Sequence, residues 1–115
     1  MVSEVFCMDC MEYMRTMPDK FFDLAIVDPP YGIGRSCMGE KKKWKSYKPK
    51  DWDKSSPDRR YFEELFRVSE NQIIFGGNYF TPYLPPRMGW IVWDKGQKLR
   101  MSDGELIYTS FNKAL

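Results

Sequence analysis

Residues 23–32 read Asp23-Leu24-Ala25-Ile26-Val27-Asp28-Pro29-Pro30-Tyr31-Gly32, and this stretch decides the fold. The apolar run Leu24, Ala25, Ile26 and Val27 has no polar alternation. It predicts a short strand over residues 23–27, buried on both faces as in a parallel sheet. The run then meets Asp28-Pro29-Pro30. Two prolines lack N–H donors and fix φ, so the strand stops and no helix begins cleanly. The result is a rigid loop at the carboxyl end of a buried strand, the position where open α/β sheets bind ligands.

Toward the N-terminus, residues 4–7 predict another short strand. Asp9 then caps a helix, with Glu12 three residues on completing a capping-box pattern. Met11, Tyr13 and Met14 give that helix an apolar side, and Pro18 and Asp19 end it. Toward the C-terminus, residues 34–56 form a long polar loop, of the length that is usually functional or disordered. Ser56 as N-cap and Pro57 as first helical residue open the next helix. Its stripe of Tyr61, Phe62, Leu65 and Phe66 has helical spacing and reads as core packing. A buried strand over residues 72–75 follows and ends at Gly76-Gly77-Asn78. A short helix from Tyr79 stops before Pro85-Pro86, and strands cover residues 89–94 and 105–110. Strands alternating with helices predict an α/β architecture. The chain contains no internal repeat and no low-complexity tract.

With 115 residues, 43% of them hydrophobic and 17% aromatic, the chain suits one folded domain with a modest core. No apolar run reaches membrane-spanning length. The N-terminus lacks the basic and apolar pattern of a secretion signal. Both readings predict a cytoplasmic protein with no membrane partner. The net charge of +2 is unevenly spread: residues 40–54 hold seven lysines against three acids, leaving the remainder slightly acidic. Three cysteines, Cys7, Cys10 and Cys37, cannot all pair, which argues against a disulfide scaffold. Cys7-Met8-Asp9-Cys10 is formally a CxxC, but the chain has no histidine and no second ligand pair, so no metal site is expected. The cysteines read as small buried thiols beside a strand end.

The chemistry sits in Asp28-Pro29-Pro30-Tyr31. An exocyclic amino group on a nucleobase is a poor nucleophile because its lone pair is delocalised into the ring. Two acceptors placed to take its two N–H bonds would make the nitrogen more tetrahedral and aim the lone pair. Asp28 offers a carboxylate, and the Pro29 carbonyl, held rigid by Pro30, offers the second acceptor. Asp28 or water could also take the proton that the alkylated nitrogen must lose. A base handled in this way has left its stack, and Tyr31 can replace the lost stacking, worth roughly 1–3 kcal/mol. The four-residue string arises by chance in roughly one in a few thousand chains of this size. The bland alternative is a Pro-Pro turn with a solvated acid and a half-buried tyrosine.

These residues resemble the catalytic motif of the N6-adenine and N4-cytosine DNA methyltransferases. Aspartate at the first position is similar to the adenine-specific members; cytosine-specific members more often carry serine. The remainder is similar to phage and prophage DNA methylases of the permuted, beta-type motif order. The matching pieces are Asp9-Cys10 with Pro18-Asp19 and residues 61–67, 72–80 (QIIFGGNYF), 90–95 (WIVWDK) and 103–111 (DGELIYTSF). The resemblance implies a Rossmann-like, S-adenosylmethionine-dependent fold, with Asp28, Pro29, Pro30 and Tyr31 handling the base. It also implies that Asp9 and Cys10 lie near the cofactor adenine, with Asp28 bordering its methionine part.

The family pattern also has a glycine-rich cofactor loop and a target-recognition region, and neither is found in this sequence. Gly32-x-Gly34 follows the wrong strand, and Gly76-Gly77 is a weak substitute. The sequence therefore reads as an incomplete fold, the catalytic part over residues 1–115, with activity of the chain alone left open. In the family, the strand at residues 23–27 pairs with a strand from the absent part. Here it is expected to present an unpaired apolar edge, covered by a homodimer or a swapped assembly. In the basic loop, Lys41, Lys42, Lys43, Trp44 and Lys45 offer phosphate contact plus stacking to DNA; the alternative is a solvated loop. Two other functions stay open: N4-cytosine methylation, and a non-catalytic remnant that binds nucleic acid or a subunit.

Overall fold

The run after Asp23 does form a strand, β1 (Phe22–Val27), and what covers it explains the rest of the fold. The computed structural model describes residues 2–33, 56–96 and 103–113. In chain order these form α1 (Cys10–Arg15), β1, α2 (Arg59–Val68), β2 (Ser69–Phe75), two 3-10 turns at Gly77–Tyr79 and Thr81–Tyr83, β3 (Trp90–Asp94) and β4 (Gly104–Thr109). The domain is a small mixed α/β unit with one four-stranded sheet in the order β1-β2-β4-β3. β1 and β2 run parallel, and β4 is antiparallel to both β2 and β3. Strands β1, β2 and β3 therefore share one direction, and β4 is inserted between β2 and β3 in the other.

The register aligns Val27 with Ile74, Ile74 with Tyr108, and Tyr108 with Trp90, so these four side chains share one face. Helices α1 and α2 cover that face. Met14 of α1 and Phe62, Leu65 and Val68 of α2 join Ile74, Phe80 and Tyr108 in a single buried cluster, with Ala25 and Val27 packed against it. The opposite face lacks a helical layer among the described residues: Ile26 is 63% exposed and Ile91 43%. β1 is therefore buried on one face only, which corrects the expectation of burial on both. It is also an edge strand. β2 lies on one side, and no described strand lies on the other.

Three further expectations change. Residues 4–7 are not a strand; Val5 is 95% exposed. An apolar run becomes a strand only when a neighbour accepts its backbone hydrogen bonds, and none is described beside it. The second helix is capped by Asp58, not Ser56, and Pro57 stays outside it. The Asp58 carboxylate accepts from the N–H groups of both Arg60 and Tyr61. An ionised acceptor serving two orphan donors is a stronger cap than a hydroxyl. After β2 the chain makes two 3-10 turns in place of the helix expected from Tyr79. Prolines at 82 and 85–86 leave no room for a sustained i→i−4 ladder. α1 matches its expected start: Asp9 is the N-cap and its side chain accepts from the Met11 N–H.

Among the described residues, no helix is long and apolar enough to cross a membrane. The basic residues Lys41, Lys42, Lys43, Trp44 and Lys45 lie outside the described residues, as do Cys37 and Gly34.

Candidate functional site

Because β1, β2 and β3 point the same way, their carboxyl ends meet at one edge of the domain. Asp28 follows β1, Gly76 follows β2 and Lys95 follows β3, while the reversed β4 begins there with Gly104 and Glu105. Ligand sites of open α/β sheets sit at this end.

Val27, Asp28, Pro29 and Pro30 line an open pocket of about 790 Å³. Asp9, Cys10, Met11 and Arg15 from α1 form a second wall, and Ser56, Pro57, Asp58, Arg60 and Tyr61 at the start of α2 form a third. The volume falls in the range of small-molecule sites. Asp9, Cys10 and Asp28, widely separated in sequence, thus share one cavity. Pro29 is buried while the Asp28 side chain is exposed, so the rigid segment is anchored and its acid is free to reach a ligand.

Tyr31 lies beside this pocket and is held from several sides. Its ring stacks on Tyr79, with centroids 4.8 Å apart and planes 17° apart, and meets Phe80 edge-on at 6.2 Å. Gly76 permits this approach. It has φ of 67°, and a Cβ there would run into the Tyr31 ring. The hydroxyl of Tyr31 contacts Oδ1 of Asp28 at 2.9 Å and, closer still, Oε1 of Glu105. The other oxygen of Glu105 is 2.5 Å from Nζ of Lys95, whose ammonium also sits 4.8 Å above the Trp93 ring. Burial pushes the Tyr31 phenol well above its ordinary value, and the hydrogen bonds to Glu105 and Asp28 push it further. Burial alone would raise the Glu105 carboxyl, but the Lys95 and Tyr31 hydrogen bonds outweigh it and hold the group below the usual glutamate range.

On the α1 side the Cys10 thiol is not activated. Cys7 and Cys10 are both exposed and free, which corrects the expectation of buried thiols beside a strand end. Partial burial, then the Asp9 carboxylate, push the Cys10 thiol up, away from the thiolate. Burial also raises the Tyr61 phenol. No group of three His, Cys, Asp or Glu side chains that could hold a metal ion occurs among the described residues.

The sequence singles out Asp28, Pro29, Pro30 and Tyr31, and the resemblance puts Asp9 and Cys10 by a cofactor adenine; the fold brings Asp9, Cys10, Asp28, Pro29 and Pro30 to one pocket. Sequence reading missed Glu105, Lys95, Gly76 and Tyr79. Nothing local in the strings WIVWDK and DGELIYTSF says that β4 is reversed, which is what brings Glu105 to the site. Gly76 carried a usable signal: a Gly-Gly pair directly after a buried strand marks a close approach by another group.

Compared with known proteins, the chain matches no family model and no curated protein.

Proposed function

We propose that this chain is the catalytic part of a Rossmann-like, S-adenosylmethionine-dependent DNA methyltransferase acting on the N6 amino group of a flipped adenine. One observation carries the reading: Asp28-Pro29-Pro30 lies at the carboxyl end of a parallel strand, on the wall of a pocket that also contains Asp9 and Cys10, with Tyr31 next in the chain.

The residues of the pocket suit such a cofactor. Carboxylates at Asp9 and Asp28 suit a sulfonium cation and ribose hydroxyls, and Met11, Val27, Pro57 and Tyr61 supply apolar wall for a nucleoside. S-adenosylmethionine, when bound, supplies the electrophilic methyl group. Asp28 and the Pro29 carbonyl accept the two N–H bonds of the target amine and so direct its lone pair. Pro30 keeps that carbonyl from turning away, a positional gain made before substrate arrives. Asp28 or water then takes the surplus proton. Tyr31, stacked on Tyr79, offers an aromatic wall to the flipped base. The lysines at 41, 42, 43 and 45 and Trp44 supply phosphate and stacking contacts to DNA in this reading.

A second reading, a non-catalytic subunit-binding unit, is favoured by the edge of β1 that no described strand pairs and by the exposed Leu24 and Ile26. Calorimetry with S-adenosylmethionine, run with sedimentation on the same sample, separates the two. Binding that Asp28→Ala weakens, followed by N6-methyladenine in a DNA product, supports the methyltransferase. No cofactor binding by a chain that sediments as a dimer supports the second reading. Asp28 is exposed, so its replacement should change stability by no more than about 0.5 kcal/mol.

A further inference from the structure

The hydroxyl of Tyr31 has one proton and faces two carboxylates, Asp28 and Glu105. A hydroxyl donates to only one acceptor at a time. Whichever carboxylate receives that proton has one fewer lone pair to offer a ligand. This matters at Asp28, because the proposed reaction asks Asp28 to accept an N–H from the target amine.

We propose that Glu105, braced by Lys95, draws the Tyr31 proton to itself and so leaves the Asp28 carboxylate open to the target amine. Glu105 is a positioning residue in this arrangement: it acts through Tyr31 and touches no reacting atom. The part concerning the amine rests on the methyltransferase reading; the part concerning the proton does not.

Three observations favour Glu105 over Asp28 as the acceptor. The contact to Glu105 is the closer of the two. Glu105 has a paired cation, since its second oxygen lies 2.5 Å from the Lys95 ammonium, and no such pairing reaches Asp28 among the described residues. The Glu105 and Lys95 side chains are 13% and 26% exposed, so solvent weakens their attraction less than at an open surface. Among the described residues, the charged groups facing the phenol are Asp28 from the loop after β1, Glu105 from β4 and, through Glu105, Lys95 after β3. Tyr79 and Phe80 present rings. Gly76 lets the ring sit close enough for its hydroxyl to reach Glu105.

The hydroxyl can be followed by nuclear magnetic resonance of the full chain labelled at tyrosine Cζ, whose shift reports ionisation. The chain has seven tyrosines, and the signal lost in Tyr31→Phe identifies residue 31. In the wild type, that signal should stay unionised where an ordinary tyrosine titrates, at about 10. Glu105→Gln keeps the shape and removes the charge, and the Tyr31 ionisation constant should rise about tenfold or more. An unchanged Tyr31 titration in a Glu105→Gln chain with intact near-ultraviolet dichroism overturns the proposal. If Glu105→Gln does not fold, Lys95→Met supplies the second arm: the coupling between Glu105 and Tyr31 predicts a displaced Tyr31 signal, and an unmoved signal overturns it. Methyl-transfer rates test the consequence for Asp28. Glu105→Gln should lower kcat several-fold with little change in KM, while the same change on a Tyr31→Phe background should cost nothing further. Additive losses in the double variant overturn the competition for Asp28. A shifted phenol in a chain that neither binds S-adenosylmethionine nor methylates DNA supports the hold on the Tyr31 proton and overturns the methyltransferase reading.

Discussion

The two ends of the β1–β2 ladder are both polar, but in opposite senses. At the amino end, donors abound and are met by acceptors of the chain itself, most of them backbone carbonyls. Lys20, in the left-handed region at φ 54°, donates its backbone N–H to the Arg67 carbonyl and its ammonium to the carbonyls of Phe66 and Ser69. It thereby caps the end of α2, where helix carbonyls lack partners. Arg67 donates to the carbonyls of Met14 and Met17 and to the carboxylates of Asp19 and Glu64, tying the α1–β1 connection to α2. Beneath them the Gln72 amide donates to Ser69, whose hydroxyl donates to Leu65. At the carboxyl end the balance reverses, with two carboxylates and a single hydroxyl proton between Asp28, Tyr31 and Glu105. The difference is instructive. A cluster whose donors are all consumed internally fixes the fold, whereas one with spare acceptors has capacity for a ligand's N–H groups.

Phe62 gives the harshest test of whether the two ends are separable. It is 1% exposed, packs on Phe80 at 5.2 Å and stacks on Tyr83 at 5.4 Å, and Phe80 in turn meets Tyr31. Phe62→Ala should cost about 3–5 kcal/mol in urea unfolding and should also disturb the near-ultraviolet dichroism of the tyrosines. A large loss of stability with an undisturbed aromatic signal would show that the core does not reach the site.

Gly76→Ala aims at the carboxyl end alone. A methyl group at φ 67° is strained and meets the Tyr31 ring, so about 1–3 kcal/mol should be lost. The Tyr31–Glu105 contact should be lost with it. Retention of the wild-type Tyr31 resonance position would break the assignment of Gly76 as the spacer beneath that ring.

The mildest test concerns the amino end and acid. The Arg67 hydrogen bond holds the Glu64 carboxyl below its ordinary value. A group with a lowered folded value adds stability above its unfolded value and loses it as pH falls through the folded one. Glu64→Gln should therefore lower the urea midpoint at neutral pH, and its difference from wild type should shrink on acidification below the ordinary glutamate range. The Tyr31 resonance position, at the other end of the ladder, should not change. A midpoint difference that persists unchanged into acid would remove the ion pair from the account.

Much of this fold was legible in sequence because its strands are short apolar runs bounded by Gly, Pro and Asp. β1, β2, β3 and β4 all lie within three residues of their expected bounds. The site was legible where its chemistry is contiguous, in Asp28-Pro29-Pro30-Tyr31. It was illegible where the chemistry is assembled from separate strands. Glu105 reaches Tyr31 only because β4 runs against its neighbours, and strand direction leaves no trace in an apolar run such as Leu106-Ile107. The reading of residues 4–7 as a strand failed for a related reason, since pairing depends on a partner and not on composition.

The placement of β4 also has a consequence for the order in which the molecule assembles. β3 and β4 are neighbours in sequence, with Asp94 paired to Gly104, whereas Phe22 must find Ser69 and Phe75 must find Ile107. Closing longer loops costs more entropy before any contact repays it, so the β3–β4 hairpin is the cheapest piece of sheet to form. That hairpin already contains Lys95 and Glu105 side by side. The charged pair is thus the local one, and Tyr31, which follows the distant β1, must be brought to it across a longer loop.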